Sequence, residues 1–210
     1  MADPIQGVLR SPNFSGQPST AQLNEKSEVL TAQGLPPYAE MTRKGGGWHV
    51  MSVVAVAGLV VRPSGTAAFE IWNGYPVGGK SLIIDRLFWH NLVSTNVIES
   101  FSGWAEVAAA KAAPSAGANV IVRGNSGKAY PGPVIAALGT TVTDSGWFPW
   151  GQAFTKGAGG VVPHGVVVAE VNGRLIVPPQ CALGMHVVSS LVGQTFTQGA
   201  SWYEETISNE

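Results

Sequence analysis

The sequence predicts an all-β protein: a two-sheet antiparallel β-sandwich of jelly-roll-like type over residues 48–210, preceded by an extended polar N-terminal arm over residues 1–47. Three observations carry this. Charged residues make up 12% of the chain, against about 25% in an average domain, while 27 glycines and 14 prolines in 210 residues supply the turns that many short strands need. From Trp48 onward, β-branched and aromatic runs recur between Gly, Pro and Asn clusters, giving about nine or ten strands at regular spacing. The first 47 residues break that pattern with Pro4, Pro12, Pro18, Pro36 and Pro37, many amides and hydroxyls, and eight of the chain's 25 charged residues. A chain of this length supports one core, burying roughly 70% of its unfolded surface.

In chain order, the arm has a single helical candidate, Ser19 to Thr31, with Ser19 or Thr20 as cap and apolar residues at poor helical spacing. Such a segment buries little alone and is expected to order against a neighbour. Gly45-Gly46-Gly47 reads as a hinge into the folded body. Trp48 to Val61 is apolar on both faces, as expected for a central strand covered on two sides, and Pro63-Ser64-Gly65 closes it. Ala67 to Trp72 is a shorter strand. Lys80 to Val93 is a long one, on which regular alternation puts Ile83, Asp85, Leu87 and Trp89 on one face and Leu82, Ile84, Arg86 and Phe88 on the other. Asp85 and Arg86 then form an exposed or subunit-facing pair, because burying both charges carries a large desolvation cost.

Phe101 to Ala110 is a strand anchored by Trp104, and Asn119 to Arg123 leads into the turn at Gly124-Asn125-Ser126-Gly127. Val134 to Val142, Gly146 to Trp150 and Val161 to Val171 follow. Asn172-Gly173 is the strongest hairpin signal in the chain. The segment from Gly173 to Glu205 reads as three consecutive antiparallel strands broken at Pro178-Pro179 and Gly193, since proline cannot donate to a ladder. In the last of them Trp202 and Tyr203 point to opposite faces.

Function classes are narrowed by what the residues are. A net charge of −1 gives no footprint for nucleic acid or an anionic membrane. The most apolar run, Val50 to Val61, is shorter than the roughly 20 residues of a membrane span. The N-terminus lacks the pattern of a secretory signal, so a soluble cytoplasmic product is expected. Cys181 is the single cysteine, which rules out an internal disulfide. His49, His90, His164 and His186 show no metal-ligand spacing, and Glu70, Glu99, Glu106 and Glu170 show no spacing that singles out a catalytic pair. Gly74 to Ser81 matches the G-x-x-x-x-G-K-[ST] string of a phosphate-binding loop, but that loop needs a helix after it and βαβ units around it. Here it reads as a hairpin loop with Lys80 at a strand start. No catalytic, cofactor-binding or metal-ligating residue is assigned, and no cofactor is expected.

Seven tryptophans stand in this weakly charged domain, and Trp147, Phe148 and Trp150 cluster around Pro149, where a regular central strand is disfavoured. These three are the candidate partner contacts, an apolar patch that a neighbour covers. Phe69 to Gly74, Gly79 to Arg86, Gly146 to Gly151, Gly173 to Pro179 and Ser201 to Glu204 together resemble the β-sandwich virion proteins of tailed bacteriophages, over about residues 67–206. The resemblance implies a non-enzymatic jelly-roll-like subunit, with capsid cement or decoration as the leading role. It further implies the major capsid protein as partner, self-association as a homotrimer or other closed oligomer, a place on the capsid surface after synthesis in the host cytoplasm, and no direct contact with nucleic acid or membrane. A head-fibre or tail-tip module binding glycans is the alternative. A cupin-like metalloenzyme would require clustered histidine ligands.

Overall fold

The apolar runs become strands, and the Gly and Pro clusters turn the chain or carry it between two sheets. The structure, a computed structural model, describes residues 41–42, 44–93, 98–108, 112–115, 120–156 and 165–207, together with the backbone of 8–9 and 19–20. The chain divides into two compact units, Met1–Glu40 and Met41–Glu210. In the first, Val8–Leu9 (β1) pairs antiparallel with Ser19–Thr20 (β2). The expected helix at Ser19 to Thr31 therefore begins as strand, and its remainder lies outside the described residues.

The second unit holds twelve named strands: β3 Gly47–Met51, β4 Val56–Ala57, β5 Thr66–Trp72, β6 Lys80–Val93, β7 Ile98–Ala108, β8 Arg123–Gly124, β9 Ile135–Thr141, β10 Phe148–Lys156, β11 Val166–Glu170, β12 Ile176–Val177, β13 Ala182–Ser189 and β14 Thr195–Thr206. They build a seven-stranded sheet in the order β11-β6-β14-β3-β8, with β12 also on β6 and β4 on β14, and a five-stranded sheet in the order β10-β7-β13-β5-β9. All strand pairs are antiparallel. The all-β sandwich is thus as expected. Its core lies between the sheets, with Trp89, Trp202, Phe69, Phe101 and Phe196 among the fully buried side chains. Phe101 and Phe196 come from opposite sheets, with ring centroids 4.9 Å apart. Gly103 on β7 is the seat of Trp89: a Cβ there would stand 2.2 Å from the indole.

Several local expectations change. β6 carries a bulge: Arg86 pairs with Ser201 and Ile84 with Trp202, so Asp85 is the extra residue. The bulge switches the alternation. Leu82 and Ile84 before it and Leu87 and Trp89 after it all reach the core, while Arg86 and Phe88 face outward. Asp85 and Arg86 do form a partly exposed pair, at 3.9 Å.

The run from Trp48 to Val61 is not one doubly covered strand. β3 ends at Met51, and the chain then crosses towards the smaller sheet, where the Leu59 N–H donates to the Val187 carbonyl and the Ser189 N–H to the Leu59 carbonyl. Val53, Val54, Val60 and Val61 stand exposed on that crossing. Gly45, at φ +80°, closes a helical turn, with the Gly45 and Gly46 N–H groups donating to Thr42 and Met41 carbonyls.

Asn172-Gly173, both at positive φ, makes a turn but not a hairpin. β11 and β12 on either side both pair with β6, so the turn is a protrusion on a chain that keeps its direction. The last three strands are not a meander either. β13 belongs to the smaller sheet and β12 and β14 to the larger, so Pro178-Pro179 and the 190–194 segment carry the chain across the sandwich.

Candidate functional site

β10 is an edge strand of the smaller sheet because its sequence cannot serve as a central one. Pro149 has no N–H to offer, and the register with β7 shifts between Pro149 and Gly151. Among the described residues β10 pairs with β7 alone. The three aromatics singled out from the sequence divide here. Phe148 is 60% exposed. Trp150 is half-buried against the core, with its ring edge-to-face with Phe148 at 5.8 Å between centroids. The Arg174 guanidinium lies 5.7 Å from the Trp150 ring centroid. That guanidinium is fixed by donation from Nε to the Val171 carbonyl at 3.0 Å and from Nη2 to the Glu170 carbonyl at 2.5 Å. Phe148, Trp150 and Arg174 therefore make a partly exposed platform of rings and a planar cation at the sandwich edge. Further along β10, Phe154 is 70% exposed.

Trp147 goes the other way and is buried within the chain. Its indole N–H donates to the Ser64 carbonyl at 2.8 Å, and its ring packs with Ala67, Ala108 and Val142 in a satellite cluster. Gly184 leaves room for it, since a Cβ there would lie 3.2 Å from the Trp147 ring. The segment carrying Trp147 is latched by the Asp144 carboxylate, which accepts from both terminal nitrogens of Arg62 at 2.7 and 2.9 Å. This pairing lowers the pKa of Asp144.

Beneath this cover the fold sets in one row, on either side of Gly184, two acidic residues that sequence spacing does not link. Glu70 on β5 and Glu106 on β7 both stand opposite Gly184 of β13, and both are buried. Glu106 accepts from the Ser145 N–H at 2.8 Å, and burial raises its pKa. His186, nearby on β13, has its pKa lowered by burial. Glu170 stands on the other sheet. Pairing across three strands is invisible to sequence because the three segments are far apart in the chain.

The phosphate-loop string joins β5 to β6 across the sandwich, so it is a connection between sheets rather than a hairpin. A strand follows it, as the alternative reading required. Buried Asn73 fixes its ends: Nδ2 donates to the Lys80 and Val177 carbonyls at 2.9 Å each, and Oδ1 accepts from the Tyr75 N–H at 3.1 Å. Lys80 Nζ lies 3.8 Å from the buried Glu204 carboxylate. The two oxygens of that carboxylate accept from the Tyr75 hydroxyl at 2.8 Å and the Tyr130 hydroxyl at 2.6 Å. Burial, then donation to Glu204, pushes the Tyr75 pKa up to about 12 and raises that of Tyr130 for the same reasons. The lysine is thus occupied in a structural network.

Comparison with protein-family models, curated proteins and solved structures finds no match to this chain.

Proposed function

We propose that this chain is a structural subunit of a tailed-bacteriophage particle, a non-enzymatic cement or decoration protein that binds the major capsid protein and stabilises the shell by bridging neighbours. The observation that carries the reading is the edge of the smaller sheet, where Phe148 and Phe154 are exposed and Trp150 and Arg174 form a fixed platform beside them. Aromatic and Arg side chains are the usual anchors of protein interfaces, and an apolar strand edge left open favours association. The mechanism is mechanical: a subunit that binds only the assembled shell raises the free energy needed to open it.

The test is co-sedimentation with capsids lacking the protein, using the full chain, Phe148→Asp, and a chain lacking residues 1–47. The expected result is saturable binding at fixed stoichiometry, weakened at least tenfold by Phe148→Asp and reduced by loss of the arm. No binding by any form overturns the reading.

A glycan-binding head-fibre or tail-tip module is the second reading. A shallow pocket of about 290 Å³ on the smaller sheet, lined in part by Ser100, Ser102, Gln152 and Ser190, favours it by offering hydroxyls and an amide beside exposed Phe154. Glycan-array binding without capsid binding would select it.

A further inference from the structure

The outer face of the larger sheet carries a second surface, separate from β10. Side chains on it fall into rows across the strands. One row is apolar: Val168 pairs with Phe88, Phe88 with Gly199, and Gly199 with Met51. Val168 and Met51 are 49% and 43% exposed. Gly199 is required by the close approach of β3, since a Cβ would lie 2.4 Å from the Val50 carbonyl oxygen. Its missing side chain leaves a groove of about 440 Å³ along β14, walled by Phe88, His90 and Val166 on one side and His49 and Met51 on the other.

The adjacent row is charged, with its signs separated. It runs Glu170, Arg86, Ser201, His49, Arg123 from the β11 edge to the β8 edge. At the first edge Arg86 lies 3.7 Å from Glu170 and 3.9 Å from Asp85, so two carboxylates surround one cation there. At the other edge stand exposed Arg123 and His49, whose Nδ1 meets the Asn125 Oδ1 at 2.5 Å. On this face Glu170 and Arg123 stand at opposite ends of one row.

We infer that this face binds a second copy of the chain, sheet against sheet, about a two-fold axis lying in the interface along the strands. Such an axis exchanges left and right while keeping each row level. Glu170 of one copy then meets Arg123 of the other, Arg86, already held between Glu170 and Asp85, meets His49, and the Phe88 side of the apolar row meets the Met51 side. An axis running across the strands sets Glu170 against Glu170 and Arg123 against Arg123, which is repulsive. The charge pattern therefore selects both the partner and the symmetry, and an isologous contact needs a self-complementary patch of this kind. The size is adequate. The strands of this sheet hold 42 residues, which at about 4.8 Å between strands and about 3.4 Å per residue outline on the order of 700 Å², within the roughly 600–1,000 Å² per partner of standard interfaces.

The inference rests on reading the chain as an assembling subunit, but it is tested on the isolated full-length protein, so dimerisation and capsid binding can fail separately. Sedimentation velocity over a concentration series is expected to show a species of twice the 21.8 kDa chain mass. Glu170→Lys or Arg123→Glu alone is expected to weaken it at least tenfold, and the double swap to restore it. In a Cys181→Ser background, Glu170→Cys combined with Arg123→Cys is expected to give an oxidised dimer, and Glu170→Cys alone is not. A monomer at all concentrations, a trimer indifferent to the swaps, a double swap no better than the singles, or cross-linking through Glu170→Cys alone overturns the proposal. Circular dichroism of each variant, expected to match the parent because these positions are exposed, separates loss of association from loss of fold.

Discussion

Gly103→Ala is the sharpest single test of how the two sheets meet. An added Cβ would lie 2.2, 2.4 and 2.6 Å from three atoms of the Trp89 indole, which is fully buried. Carbon atoms sit comfortably about 3.5–4.0 Å apart, so the ring must retreat by more than about 1 Å into a packed core. Overpacking of this kind typically costs about 1–3 kcal/mol, and a rigid ring held on all sides puts the value near the upper end, about 3 kcal/mol. In a chain of this size each kcal/mol moves the melting temperature by about 2–4 °C, so a fall of about 6–12 °C is expected. The assay is urea and thermal unfolding of the parent, Gly103→Ala, Trp89→Leu and the double variant. Because Trp89→Leu removes the obstacle, the double variant should be more stable than the sum of the singles implies, by at least about 1 kcal/mol. A Gly103→Ala protein within about 0.5 kcal/mol of the parent, or strict additivity, would refute the placement of Trp89 over Gly103.

Asn73→Ala should destabilise by about 2–3 kcal/mol in urea unfolding, because it leaves the buried Val177 carbonyl and the part-buried Lys80 carbonyl and Tyr75 N–H without this partner. Tyr75, with its pKa raised from about 10 in the unfolded chain to about 12 in the fold, contributes stability that is complete below pH 10 and is lost as pH rises through about 12. Denaturation midpoints should therefore fall across that window and fall less in Tyr75→Phe. Glu106 has a folded pKa above its ordinary value through burial, so its contribution is greatest below about pH 4.5 and declines as pH rises. The stability of the parent minus that of Glu106→Gln should accordingly be largest in acid and shrink towards neutrality. Phe148→Asp should leave the melting temperature within about 2 °C of the parent, as expected for an exposed surface position, while weakening capsid binding.

Where sequence reasoning succeeded, the physics was local. The long strand from Lys80 to Val93 has the expected bounds because apolar residues recur along it with no Gly or Pro to break it and Gly79 precedes it. Pro149 spoke against a regular central strand because it has no N–H to donate, and the strand that holds it, Phe148–Lys156, lies at the sheet edge. Where it failed, the deciding term was a distant partner. Trp147 and Phe148 are neighbours of similar hydrophobicity, and nothing in the sequence says that Ser64 and Gly184 make a seat for one and not the other. The Asn172-Gly173 turn has the expected backbone, but a hairpin also needs two arms that pair, and β6 took both.

By itself the sequence determined that this chain is all-β, that one strand runs from Lys80 to Val93, and that the Gly74–Ser81 string precedes it. Each follows from side-chain shape, turn chemistry and composition, which act within a few residues. Only the tertiary structure decided which face each strand buries, because one extra residue at Asp85 inverts the alternation for the rest of β6. It alone set Glu70 and Glu106 on either side of Gly184, and Glu170 at the opposite end of one row from Arg123. Those placements come from pairing between segments far apart in the chain, where register is fixed by the fit of the whole sheet and no local preference expresses it.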